Sequence, residues 1–347
     1  MKINMREWVA DVIKTKEVQA LPIMTHPGIE LNGNTVRQAV CDGLVHSNAV
    51  QTLATRFPSI AATTIMDLTV EAEAFGAPVV FSDDAVPVVS GRLLHNVESI
   101  HRLEVPSLSA GRIPQYLKAI VSLASFSWGG EEKTSPSGRG ERRLGESTPL
   151  LAGCIGPFSL AGRLFGLSEL MMLTCEQPEA VHVLLAKSTD FIGKYCLALK
   201  LAGANGVLMA EPAAGLLSND DCLTFSSHYV KRIVHRVQDE DFMVVLHNCG
   251  NTGHCTKAMV ATGAAAYHFG NKCRMEKVIR DVPPTALAMG NLDPVSLLKD
   301  GSPQQIREAV HDLLQQMRPY PNFVLSSGCD IPPHTPLENI NAMFSPF

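Results

Sequence analysis

Aromatic residues are scarce in this chain, 6% of the total, so it lacks the stacking platforms that single-stranded nucleic acids use. Positive charge is also in short supply. Lys and Arg number 29 against 34 Asp and Glu, giving a net charge of −5 with no basic cluster, and a nucleic-acid surface is not expected. No apolar run approaches the roughly 20 residues that span a bilayer, so no membrane role is expected. MKINMREWVADVIKTKE (1–17) is amphipathic and of mixed charge, without the apolar core of a secretory signal. A cytoplasmic location follows as the expectation. In a reducing compartment the nine cysteines are thiols or metal ligands, not a disulfide frame. Cys41, Cys154, Cys175, Cys196 and Cys222 lie among apolar neighbours and read as small buried hydrophobes.

What is abundant is apolar sequence broken at regular intervals. Hydrophobic residues make up 46% of 347 and charged residues 18%, enough for a large core. GVLMAEP (206–212), MVVLHNC (243–249), AAAYHFG (264–270), TALAMGN (285–291) and FVLSSGC (323–329) are compact apolar runs of the kind that become strands buried on both faces. Helical stretches separate them at 218–237, 252–263, 273–280 and 303–317, and another follows at 336–344. ALPIM (20–24), SIAATTIM (59–66) and LLAGCIG (150–156) are further strand candidates. Residues 178–203 read as one long helix with Pro in its first turn and Gly at its end. Alternating strand and helix predicts parallel βαβ units, and this many in a row favour a (β/α) barrel over an open sheet. No repeat or linker divides the chain. It reads as one α/β domain, 1–347, with an N-terminal helical extension over 1–18 and a Gly-, Ser- and charge-rich surface loop over 125–148.

The chemistry-bearing residues gather where strands end. His247 and Cys249 are two apart at the end of a predicted strand, so both side chains point to one face. Cys329 ends the last strand at the same level, and strand C-terminal ends are where barrel active sites lie. Three N/S donors from two strands match a catalytic zinc site, which keeps a fourth position exchangeable. Cys255 and Cys273 are alternative partners on or before helices, and spacing alone leaves the ion open. His268, after the next strand, and Glu211, ending GVLMAEP, are candidates for the fourth ligand. Asp67, Glu71 and Glu73 form a carboxylate cluster. If their segment is helical, Asp67 and Glu71 share a face and are available for catalysis. His26, just past the first strand, is a candidate for lining the cofactor pocket, as is Asn251 in the loop after Cys249. GPFSLAGRLFG (156–166) is glycine-rich but lacks the lysine of a phosphate-binding loop, and reads as a strand-to-helix turn lining the cavity, with Arg163 a candidate to meet an anionic group.

LHNCGNT, AMGNLDPV, SSGCDIPPHTPLENI, MDLTVEAEAFGAPV and GPFSLAGRLFG resemble the matching segments of the uroporphyrinogen decarboxylase superfamily, from about residue 19 to the end of the chain. His-x-Cys plus a distant Cys is similar to its corrinoid-dependent methyltransferase branch, in which that pattern binds zinc. The resemblance implies a (β/α)8 barrel and Zn2+ on His247, Cys249 and Cys329. The implied activity is methyl transfer from a methylcorrinoid, carried by a corrinoid-binding protein, to a small thiol such as coenzyme M or homocysteine, or to a folate acceptor. The decarboxylase branch has an Arg-rich motif after its first strand; here that place reads IMTHPGIELNG, without arginine. Asp67 does fall where that branch keeps a catalytic Asp. A tetrapyrrole decarboxylase and a non-catalytic zinc-binding accessory of a corrinoid protein are the alternative readings.

Overall fold

Runs of Val, Leu, Ala and Met with helices on either side satisfy their backbone groups by pairing in parallel beneath that helical cover. The computed structural model describes residues 3–15, 17–126 and 148–346. Its strands are β1 (Ala62–Thr63), β2 (Val79–Val80), β3 (Val88–Val89), β4 (Leu150–Ile155), β5 (Gly206–Ala210), β6 (Met243–Asn248), β7 (Ala266–Phe269), β8 (Leu287–Leu292) and β9 (Phe323–Ser327). β2 and β3 form a small antiparallel ribbon, while β1 and β4 to β9 form one parallel sheet in that order.

Residues 19–24 close this curled sheet into a (β/α)8 barrel. Ala20 bridges Leu325 in parallel, and the Leu21 N–H donates to the Leu325 carbonyl at 2.9 Å. On the other side the Ile60 N–H donates to Ala20 at 2.9 Å. The strand expected over 20–24 is therefore only partly regular. Pro22 has no N–H to give a ladder, and side-chain hydroxyls stand in, with Ile23 N–H donating to Ser327 Oγ at 3.1 Å and Met24 N–H to Thr63 Oγ1 at 3.4 Å.

Strand alternation sorts the core into an interior and a shell. Leu151, Leu208, Val245, Ala266, Met289 and Val324 fill the barrel. Their outward neighbours meet the helices in a larger cluster that includes the helix Pro178–Ala202, which ends at Gly203 in the left-handed region, φ 110°. The helix Met5–Lys14 closes the N-terminal end. Asn4 caps it, accepting from the Arg6 and Glu7 N–H groups at 3.1 Å, and its Met5, Val9 and Val12 face joins the interior cluster. The loop expected over 125–148 falls almost wholly on residues 127–147, outside the described residues. Among the described residues no single helix is long and apolar enough to cross a membrane. Cys154, Cys196 and Cys222 are buried as expected, but Cys41 and Cys175 are exposed, because each sits near the C-terminal end of a helix on its solvent side.

Candidate metal centre

β6 carries His247 inward at its last turn, and the chain leaves the strand through Cys249. β9 ends two residues before Cys329. One ring nitrogen of His247 and the sulfurs of Cys249 and Cys329 all lie within 4.8 Å of one another. The loops that hold them are tightly braced. Asn248 Oδ1 accepts from the Gly250 and Asn251 N–H groups at 3.0 and 2.9 Å. A Cβ on Gly250 would sit 2.3 Å from the Pro212 carbonyl, and one on Gly270 would sit 2.7 Å from Cys249 Cα, so only glycine lets these turns approach.

Hydrogen bonds behind His247 fix its tautomer. Ser326 Oγ gives its one proton to the Leu21 carbonyl at 2.6 Å, so it must accept from His268 Nε2 at 2.8 Å. His268, neutral because burial drives its pKa well below the ordinary value, then has a bare Nδ1. His247 Nδ1 donates to it at 2.8 Å. That leaves His247 Nε2 with a lone pair, buried and without a hydrogen-bond partner among the described residues. A buried nitrogen lacking a hydrogen bond is costly unless something binds it, and an imidazole whose other nitrogen is fixed from behind is the usual state of a metal ligand. The Cys329 thiol donates toward Cys249, holding Cys249 below the usual thiol range and pushing Cys329 well above it. One nitrogen and two sulfurs suit a borderline-soft ion and disfavour Mg2+ and Ca2+.

The other candidate residues are placed elsewhere. His268 is not in the three-donor cluster; its nitrogens are engaged by His247 and Ser326. Nor is Glu211. Its carboxylate caps the helix Pro157–Phe165, accepting from Phe158 N–H at 2.8 Å and from Ser159 N–H and Oγ at 3.1 Å. Burial pushes this carboxyl up to about 8 while those donors pull it down. Asp67 and Glu71 do not share a helical face, because Asp67 closes a turn on the Thr69 N–H and the helix begins only at Val70. All of Asp67's acceptor capacity is consumed. Thr69 N–H and Oγ1 fill Oδ1 at 2.9 and 2.7 Å, and Arg112 Nη1 and Tyr116 Oη fill Oδ2 at 2.5 and 2.9 Å. Glu73 is not in the solvent but on Arg112 Nε at 2.6 Å. Glu71 turns to the shell, accepting from Ile155 N–H at 3.0 Å, with its other oxygen buried and unpartnered; burial pushes its carboxyl up to about 8.

Asn251, fully buried, staples its own loop by accepting from Gly253 and Cys255 N–H at 2.8 and 3.1 Å. His26 does lie beside the centre, its Nε2 3.4 Å from Asp330, the residue after Cys329. Burial works against its charge, but Asp330 overrides it and the pKa ends raised. Ser326 and Arg112 escape the sequence reading. Ser326 left a trace, one of two adjacent serines ending an apolar strand, whose buried hydroxyls must find partners. Arg112 left none.

A family model described as uroporphyrinogen decarboxylase (URO-D) matches residues 8–346. A methylcobamide:CoM methyltransferase of Methanosarcina acetivorans is 30% identical over 280 residues, covering 80% of this chain and 76% of that protein. A uroporphyrinogen decarboxylase of Legionella pneumophila is 25% identical over 296 residues, covering 83% and 78%. A solved methyltransferase structure from Methanosarcina mazei has the same fold, with a TM-score of 0.83 at 22% identity over 100% of this chain and 98% of that one. The matched model spans both strands that carry the centre and the barrel that positions them, and the chain belongs to the uroporphyrinogen decarboxylase family.

Proposed function

We propose that this protein is a zinc-dependent methyltransferase that moves a methyl group from a methylated corrinoid, presented by a corrinoid protein, to a small thiol. The observation that carries the reading is the buried, unpartnered Nε2 of His247 set with the sulfurs of Cys249 and Cys329. The likeness to methylcobamide:CoM methyltransferases of Methanosarcina supports the reaction class. His247, Cys249 and Cys329 would hold the ion. Zinc there supplies a Lewis acid able to take a thiol, whose free pKa is about 8.5, to its nucleophilic form at neutral pH.

The chain's own residues do the rest. His268 and Ser326 keep the His247 imidazole in its ligating tautomer, so no proton has to leave it on binding. Cys329 beside Cys249 favours the Cys249 thiolate, the form that binds a metal. Coenzyme M and homocysteine are the acceptors that fit, with tetrahydrofolate less suited because its nucleophile is a nitrogen. The decarboxylase reading is disfavoured by Asp67, whose oxygens are already filled, and by the absence of arginine over 22–33.

Purified protein is expected to carry about one zinc per chain, as a three-ligand site demands. Cys249→Ala should remove most of it, and Cys329→Ser should abolish demethylation of free methylcobalamin by the correct thiol, followed by its visible spectrum. Less than about half an equivalent of metal, unchanged by Cys249→Ala, would sink the proposal. Bound zinc without demethylation by any thiol would point to the non-catalytic accessory.

A further inference from the structure

On the β1, β4 and β5 side of the same barrel mouth lies a groove of about 440 Å³. Its walls are largely apolar: Leu68 follows β1, Ile155 ends β4, Ala213 and Leu216 follow β5, and Leu167 closes one end. The size falls in the range of small-molecule sites, and the place is where barrels bind ligands. Arg163 is the one charged side chain among the described residues lining it.

Arg163 stands on the helix Pro157–Phe165, half-buried. Among the described residues nothing accepts a hydrogen bond from its guanidinium. Neither Glu169 nor Asp67 is free to pair with it. Glu169, against Gly166 in the groove wall, pairs with Arg92 at 2.9 Å, and Asp67 has both oxygens filled. Burial pulls the Arg163 pKa down, opposed only by the distant charge of Asp67. Elsewhere in this protein a buried arginine is fully engaged: Arg112 reaches Asp67, Glu73, Thr69 and Val40. A guanidinium half withdrawn from water, with five donors that no described residue uses, gains from an anion that completes it.

The complement of such a site is an anionic head on an apolar body. A bare inorganic anion would leave the apolar walls uncovered, and a neutral apolar molecule would leave the guanidinium unpaired. We propose that this groove binds a small organic anion, a carboxylate, sulfonate or phosphate monoester, with its head on Arg163 and its body against Leu68, Ile155 and Leu216. The site stands independently of the metal. Its walls come from β1, β4 and β5, the ligands from β6 and β9, and the turn Pro212–Leu216 separates them, close enough to the ligand loop that a Cβ on Gly215 would meet Gly250 at 2.2 Å.

Titration calorimetry of the full chain with hexanoate and with 1-hexanol, the same body without the charge, tests this. The protein should bind hexanoate at least roughly tenfold more tightly than hexanol, the scale of one charge-assisted fork. Arg163→Met, similar in length but uncharged, should bring the two within about twofold, and Arg163→Lys should fall between. The melting temperature of Arg163→Met should stay level or rise, because it removes an unpaired charge, whereas a structural arginine would lower it. Its zinc content should equal that of the parent, which separates this site from the metal reading. Equal binding of hexanoate and hexanol by the parent, hexanoate binding unchanged in Arg163→Met, or a destabilised or unfolded Arg163→Met would each overturn the proposal.

Discussion

At the scale of single residues, a side chain's neighbours decide its role more than its type does. Asp67 and Glu211 are both buried carboxylates at the ends of strands, where a barrel keeps its catalytic groups, yet both are spent on structure. Asp67 neutralises Arg112, and the consequence is measurable. Asp67→Ala leaves a buried guanidinium with only Glu73 opposite it. Breaking a buried pair from one side costs about 3–5 kcal/mol, so urea unfolding should show a loss of that order with zinc per folded chain unchanged. A variant of parental stability that had lost turnover would instead return Asp67 to the catalytic machinery. His268 shows the reverse relation. It stands outside the three-donor cluster, and its contribution is the lone pair it leaves on His247 Nε2.

At the scale of elements, the two ends of the barrel are built for different ends. The C-terminal end carries loops drawn together at glycine contacts, and the N-terminal end is stoppered by the helix Met5–Lys14. Met5, Val9 and Val12 recur at helical spacing and face Leu151, Leu208 and Met243 inside the barrel. Burial of such side chains contributes roughly 1.5–3 kcal/mol each. Met5→Ala should therefore lower the unfolding free energy by about 2–5 kcal/mol, the usual cost of emptying a buried methionine site. Zinc affinity should be untouched, since the centre lies at the opposite end. Unchanged stability on chemical denaturation would show that the helix does not seal the barrel.

For the whole molecule, buried groups set opposing limits on stability as pH changes. His46 accepts from the Ile65 N–H at 3.0 Å, and burial lowers its pKa from 6.5 to about 3. The unfolded chain takes up this proton below pH 6.5 while the folded one refuses it, so stability is complete above 6.5 and falls toward pH 3. Glu71 runs the other way. Burial raises it from 4.5 to about 8, so its contribution is complete below 4.5 and is lost as pH rises to 8. Each amounts to several kcal/mol over its full span. Melting temperatures across this range should show both limbs, with His46→Gln flattening the acid one and Glu71→Gln reducing the alkaline one, which Glu211, also raised to about 8, shares. A parent profile already flat on both sides would contradict both assignments.

Much of this was legible in the linear chain because it repeats at short range. Strand runs at 150–156, 206–212, 243–249 and 323–329, and the helix over 178–203, are set by local periodicity and by Pro and Gly at their ends, and they stand within a few residues of the observed elements. His247 and Cys249 are neighbours by strand alternation alone. Residues 26–56, which fold into three helices, carried no comparably strong period, and the 20–24 stave is held in part by hydroxyls from strands 39 and 304 residues away. Which polar groups are free was not legible at all. It took the folded barrel to bring Ser326 behind His268, Arg112 onto Asp67 and helix N–H groups onto Glu211, because hydrogen-bond saturation depends on partners remote in sequence. The same accounting, among the described residues, leaves His247 Nε2 and the Arg163 guanidinium without hydrogen-bond partners, and the two proposals rest on those groups.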